Sequence, residues 1–259
     1  MPTTLVHDPT QGHPTPDAHL DRLEATGDVG LAFRSPPDPS WTERLRDRGH
    51  PWALLVPATG HVDLPRLNLA AGDPDYRRRS VRLAAELLAR ASAGGAHVVV
   101  LPIPQALEET TVAGRPGVPI SLERARDGLW RSLDVLASVD DRLPVLVQTG
   151  KSPDPGSPSG VPAGTWEGWL DHLAIPHVGL ANRLLAPPTD PERLETPGRW
   201  VKLCRFVGRR WDAAAWERWG EALEAHPAWS RPDWCVGSPP VVDAALLRAL
   251  RRLPGRSGS

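Results

Sequence analysis

Seven polar residues stand in or just after short apolar runs, and their side chains set the chemistry open to this chain. Arg34 follows VGLAF, Gln148 and Lys151 follow PVLV, Asn182 and Arg183 follow HVGLA, and Lys202 and Arg205 lie within WVKLCRF. Guanidinium and ammonium groups hold phosphate, sulfate or carboxylate, and Arg does so as a two-pronged fork. The amides of Gln148 and Asn182 add neutral donors and acceptors. The set suits a small anionic ligand. Groups able to carry a proton are His61, Lys202 and the pair Glu108-Glu109; next to a carbonyl they would act as general acid or base. A divalent-metal site needs several Asp, Glu or His converging on one point. Few are placed to contribute, so no metal or other cofactor is expected. A makeshift site from His7, Asp8, His61 and Asp63 is the open alternative.

These residues must be positioned by the elements between them, and the chain punctuates those elements eight times. Strands are predicted at Thr3–His7, Val29–Arg34, Trp52–Val56, His97–Leu101, Pro144–Gln148, His177–Asn182, Trp200–Phe206 and Asp233–Gly237. Helices are predicted between them. Thr15-Pro16-Asp17 opens the first, Ser40 caps the second, which Gly49 ends, and Asp73-Pro74 opens the third. Val81, Ala84, Ala85, Leu88 and Ala91 give the third helix one apolar face, and Gly94-Gly95 stop it. The run Arg77, Arg78, Arg79 and Arg82 reads as its solvated surface. A loop covers 103–120. Ser121 caps a fourth helix whose apolar face is Leu122, Ala125, Leu129, Leu133 and Leu136. Residues 151–164 read as a mobile Pro/Gly/Ser loop. Helices follow at Thr165–Ala174, Asp212–Glu224 and Val241–Leu253, and a proline-broken stretch, 187–197, stands where the sixth would be.

Eight short apolar strands alternating with helices over about 250 residues match a single closed (β/α)8 barrel, residues 1–254, with a frayed tail at 255–259. An open dinucleotide-binding sheet is disfavoured because no Gly-rich fingerprint follows the first strand. The 11 Trp are expected to pack the outer helices onto the barrel. In such a barrel the active site lies at the C-terminal ends of the strands, which is the rule that selects the residues above.

Bulk composition narrows the partners. Lys and Arg number 30 against 31 Asp and Glu, a net charge of -1, so neither nucleic acid nor an anionic membrane is an expected partner. Cys204 and Cys235 are too few for a disulfide scaffold and read as buried thiols. The start, MPTTLVHDPT, lacks the basic and apolar regions of a signal peptide, and a cytoplasmic location is expected. A partner protein or a second copy of the chain remains open.

One stretch is more specific. LNLAAGDPDYRRRSVRLAAELLARASAGGAHVVVLP resembles a segment of xylose isomerase-like TIM barrels, with an NLA-type loop, a D-P-x-x-R-x-x-S helix start and a G-A-x-x-V-V strand. That superfamily includes sugar phosphate isomerases and epimerases and the endonuclease IV type of apurinic endonuclease. VLVQTGKS, VGLANRL, WVKLCRF and VGSP stand in order where the family has E-N-T-x-G, D-T-x-H, V-H-x-x-D and L-E-T-P. The resemblance implies an isomerase or epimerase acting on a sugar-like substrate. It also implies metal ligands, and most of those positions are changed. His61 falls near the strand-three histidine, but Leu101, Gln148, Asn182, Lys202 and Gly237 replace other ligands. Glu to Gln and Asp to Asn keep shape and lose charge, and Lys202 would set an ammonium where the family sets its metal. Two readings follow: a metal-free sugar-binding isomerase-like protein, or a non-catalytic accessory barrel. A metal-dependent nuclease is the least supported.

Overall fold

The computed structural model describes residues 4–7, 17, 20–21, 29–61, 64, 66–108, 118–149, 170, 175, 177–184, 201–206, 214, 217–218, 221 and 233–236. In chain order the elements are β1 (Thr4–His7), β2 (Val29–Phe33), α1 (Pro39–Asp47), β3 (Trp52–Leu55), α2 (Pro74–Ala93), β4 (Val98–Leu101), β5 (Leu107–Glu108), β6 (Val118–Pro119), α3 (Leu122–Ala137), β7 (Val145–Thr149), β8 (Val178–Leu184), β9 (Val201–Phe206) and β10 (Trp234–Val236). Eight strands close a barrel in the order β1-β2-β3-β4-β7-β8-β9-β10, with β10 returning to β1. Every barrel pairing is parallel. The predicted strands fall within a residue or two of these bounds. Of the other predicted helices, Asp17, Leu20, Asp21, Leu170, Ala214, Glu217, Arg218 and Glu221 are described, all helical. The stretches 151–164, 187–197 and 241–253 lie outside the described residues.

Two apolar clusters divide the described residues of β2, β3, β4, β7 and β8 between two faces. Ala32, Ala53, Leu55, Val98, Val100, Leu146, Ala181, Leu203 and Val236 fill the barrel. Leu31, Phe33, Leu54, Val99, Leu101, Val145, Val147, Val178 and Leu180 instead meet helix residues such as Leu45, Leu88, Leu129 and Leu133. This is the period-2 alternation of a pleated strand with both faces buried. Trp52, 2% exposed, joins the helix-facing side. Its ring meets Phe33 edge-on at 5.7 Å, and its Nε1 donates to Gly94 O at 3.2 Å. For Trp52, and for Trp41 packed on the same cluster, outer-layer packing is the role observed.

The helices are fixed by local chemistry. Asp73 caps α2, accepting from the amides of Asp75 and Tyr76, and Pro74 takes the first position. Gly95 follows at φ 77, a left-handed conformation that glycine adopts without a Cβ penalty. Ser121 caps α3, accepting from Arg124 N at 3.2 Å.

Four details correct the sequence reading. The cap of α1 is Asp38, which accepts from Trp41 N; Ser40 lies inside the helix and donates to the Asp38 carboxylate at 2.5 Å. Asp38-Pro39 is itself a cap-plus-proline pair, so the first polar residue of the cluster wins. Residues 103–120 are not all loop, since β5 and β6 pair as an antiparallel ribbon. Leu122 is 48% exposed and so stands off the buried face of α3. The buried face of α2 begins earlier than expected, with Tyr76 and Ser80.

Candidate ligand site at the barrel mouth

The segment 66–72 is the part of the mouth most tightly built. Asn68 is 1% exposed. Its Oδ1 accepts from Ala70 N and Gln105 N, both at 3.1 Å, and its Nδ2 donates to Gln105 O at 3.0 Å. Its own amide donates to Ser80 Oγ at 3.1 Å. Tyr76, fully buried, donates its hydroxyl to Arg66 O at 2.6 Å and accepts from Arg66 N. Arg77 donates to Ala71 O at 2.7 Å. Thus the four fixed residues of the D-P-x-x-R-x-x-S start, Asp73, Pro74, Arg77 and Ser80, all shape or hold this loop. Their role here is architectural: they seat Arg66 and Gln105 beside the ends of β3 and β4. Arg66 Nη1 donates to Gln105 Oε1, and Gln105 is itself buried.

On the neighbouring strand, β7, which pairs with β4, Gln148 stands one residue from the C-terminus. It follows Leu146 at the period of a strand face and is in register with Ala181, and both of those residues fill the barrel. Its side chain therefore aims into the barrel at its C-terminal end. It is 6% exposed, yet its amide makes no hydrogen bond with any described residue. Nearly all buried polar groups in folded proteins have a partner, and leaving one without costs about 1–3 kcal/mol. Thr149, one position on, faces the other way and donates to Ala181 O at 3.4 Å.

The remaining expected residues fall in different places. His61 is half-buried, and its Nε2–H donates to Pro57 O at 2.8 Å. That bond leaves Nδ1 as the basic nitrogen of the neutral ring. Arg34 is exposed one residue beyond β2. Asn182, Arg183 and Arg205 are placed by register: Thr149 pairs with Asn182 and Asn182 with Cys204, while Arg183 pairs with Arg205 and Arg205 with Val236. Gln148 and Asn182 thus occupy successive rungs rather than one. Cys204 and Cys235 are register partners.

Lys202 is the second residue of β9, at the shift where Leu180 pairs with Val201 and Ala181 with Leu203. As the second of six residues it stands toward the strand's N-terminal end, with Arg205 nearer the mouth. Glu108 is engaged by Arg124, at 3.1 Å. Leu101, aligned by motif with a strand-four ligand, packs against the helices and not in the barrel. Lys151, Glu109, Asp8 and Asp63 lie outside the described residues, as does the side chain of His7. The sequence reading did not single out Tyr76, although an aromatic three residues into a capped helix signals a buried anchor.

Among the described residues no group of three or more His, Cys, Asp or Glu converges to hold a metal. The described groups at the mouth, the amides of Gln105 and Gln148, the Arg66 guanidinium and the His61 imidazole, bring no negative charge to a divalent cation, and Asp8 and Asp63 lie outside the described residues.

No protein-family model matches the sequence, and no curated protein matches it. Solved structures do match it closely in shape. The apo form of 3-keto-D-glucoside 4-epimerase from E. coli superposes with a TM-score of 0.64, covering 97% of this chain and 98% of that one at 12% identity. D-psicose 3-epimerase from Clostridium cellulolyticum, solved with D-tagatose, gives 0.62 over 96% and 89% at 12% identity. Endonuclease IV from Thermus thermophilus gives 0.57 over 96% and 97% at 17% identity. The fold they share with this chain is the eight-stranded parallel TIM barrel. In a TIM barrel of this type the active site opens at the strand C-termini, where Gln148, Gln105 and Arg66 stand. At these identities the likeness is one of fold, and site chemistry must come from the residues themselves. No described helix is long and apolar enough to cross a membrane.

Proposed function

We propose that the mouth of this TIM barrel binds a small sugar-like molecule bearing an anionic group, in the manner of sugar isomerases and epimerases, without a divalent metal. One observation carries the reading. Gln148 buries an amide, unpartnered among the described residues, in the barrel at the strand end where ligands of this fold class are held. A primary amide both donates and accepts, which matches a hydroxyl or carbonyl of a sugar and offers little to a cation. In this reading Arg34, Arg183 and Arg205 hold the anionic end. His61, with Nδ1 basic, is the group that would move a proton.

A second reading is favoured by a specific contact. Glu108 is bound by Arg124, and an amide at 148 cannot exchange a proton. The barrel would then bind its ligand without turning it over, as an accessory subunit.

Thermal-shift and calorimetric titrations with sugars, sugar phosphates and sugar acids, with and without EDTA, test both. Saturable stabilisation by a phosphorylated or carboxylated sugar is expected, unchanged by EDTA and lost in Gln148→Leu. Stoichiometric zinc, manganese or magnesium surviving dialysis would sink the metal-free part. Isotope exchange from solvent into the bound sugar separates the catalytic reading from the binding one.

A further inference from the structure

A second cluster of cations lies outside the mouth, between the start of α2 and the first turns of α3. Residues 124, 128 and 131 fall on one face of α3, because steps of four and three return to nearly the same angle at about 3.6 residues per turn. Arg124 and Arg131 flank Gly128 on that face, and Arg77 of α2 is laid across the glycine. A Cβ at 128 would come 3.1 Å from Arg77 Nη1. Glycine inside a helix costs about 0.5–1 kcal/mol relative to alanine. That cost is borne here where a guanidinium needs the space. These groups border a cavity of about 360 Å³, with Gly72 and Pro74 on its other side.

Two of the three arginines in the cleft have no ion pair among the described residues. Arg131 makes no hydrogen bond or ion pair among the described residues, and Arg77 makes no ion pair among them. Arg124 donates to Gly72 O at 3.0 Å and meets Glu108. Glu123 and Asp127 also line the cavity, but they follow one flank of α3, and Asp127 is engaged by Arg126 at 3.5 Å. At the Arg77 guanidinium the positive neighbours prevail. Burial foremost, then Arg131 and Arg124, hold its pKa below the usual arginine value, while Asp73 alone opposes them.

We propose that this cleft binds a small oxyanion, phosphate or the phosphate of a monoester, on Arg77, Arg124 and Arg131. Guanidinium forks suit the oxygens of such an ion, and its charge relieves the mutual repulsion of the three cations. The site is separate from the barrel mouth and does not depend on the sugar reading.

Isothermal titration with inorganic phosphate against chloride at matched ionic strength is the test. Saturable phosphate binding is expected. Arg131→Ala, at an exposed position with no described partner, keeps the fold and weakens binding by about tenfold or more, the worth of one hydrogen bond to a charged group. Gly128→Ala weakens it too, by displacing Arg77, while Gln148→Leu leaves it unchanged. A response that follows ionic strength alone, or one that Arg131→Ala leaves at wild-type strength, overturns the inference. So does loss of phosphate binding in Gln148→Leu, which would move the anion into the mouth. Glucose 6-phosphate in parallel distinguishes the source: tighter binding than phosphate itself, still dependent on Arg131, marks an ester ligand, and weaker binding marks free phosphate.

Discussion

Asn68 and Gln148 are both buried primary amides at the mouth of one barrel, and they differ in whether their hydrogen bonds are made. Asn68 is closed: donor and acceptor are taken up by Gln105 and Ala70. Gln148 is open: no described residue hydrogen-bonds its amide. Functional group and burial are the same, so neither property separates a structural amide from one that reads a ligand. Satisfaction does. The motif that announces this fold in the sequence turns out to be the closed kind, and the open kind sits in a stretch with no strong motif.

Removing the closed amide should have the largest effect. Asn68→Ala would leave Ala70 N and Gln105 N without their partner inside the protein, while Gln105 O keeps the bond from Leu107 N. At about 1–3 kcal/mol for each buried group so stranded, a loss of about 2 kcal/mol or more is expected, read as a lowered urea midpoint. Ser80→Ala and Tyr76→Phe each remove a smaller part of the same lock and should cost about 1 kcal/mol. An Asn68→Ala protein as stable as wild type would break the contrast at its stronger side.

Gln148→Leu is the mirror experiment. Shape is nearly kept and no partner is stranded, so stability should hold or rise by about 1 kcal/mol. Ligand-induced stabilisation should vanish. A destabilisation like that of Asn68→Ala would mean that Gln148 is held by the fold, and the distinction between the two amides would fall.

The strand count, the order of elements and the caps at Asp73 and Ser121 were legible because each apolar run is bounded by Gly, Pro or a capping residue. The phase of each strand was not. VVVL in β4 and VLVQ in β7 are apolar on both faces, as strands of a covered parallel sheet must be, so no period-2 pattern tells which residues face the barrel. Leu101 was aligned with a ligand position by motif order alone, and it faces the helices. The shift at Lys202 was equally invisible, since an extra residue in a strand leaves no mark in composition. Arg77 looked like one of four surface arginines until Gly128, on another helix, gave it a place to lie.

The smallest expected effect lies at the opposite end of the barrel and guards the comparison. His97 precedes β4, edge-on to Trp234 with ring centroids 6.0 Å apart. Partial burial holds its pKa below the ordinary histidine value, only partly offset by a backbone contact with Gly95. Above about pH 6.5 the ring is neutral in folded and unfolded chains alike, so it contributes no slope. As pH falls through that value the unfolded chain takes up the proton first, and stability declines. His97→Gln should flatten the decline between about pH 7 and about pH 5, measured as urea midpoint against pH, and leave stability at about pH 8 unchanged. If the variant keeps the wild-type slope, the acid sensitivity arises elsewhere. If the slope flattens, any pH dependence left in ligand binding belongs to the mouth.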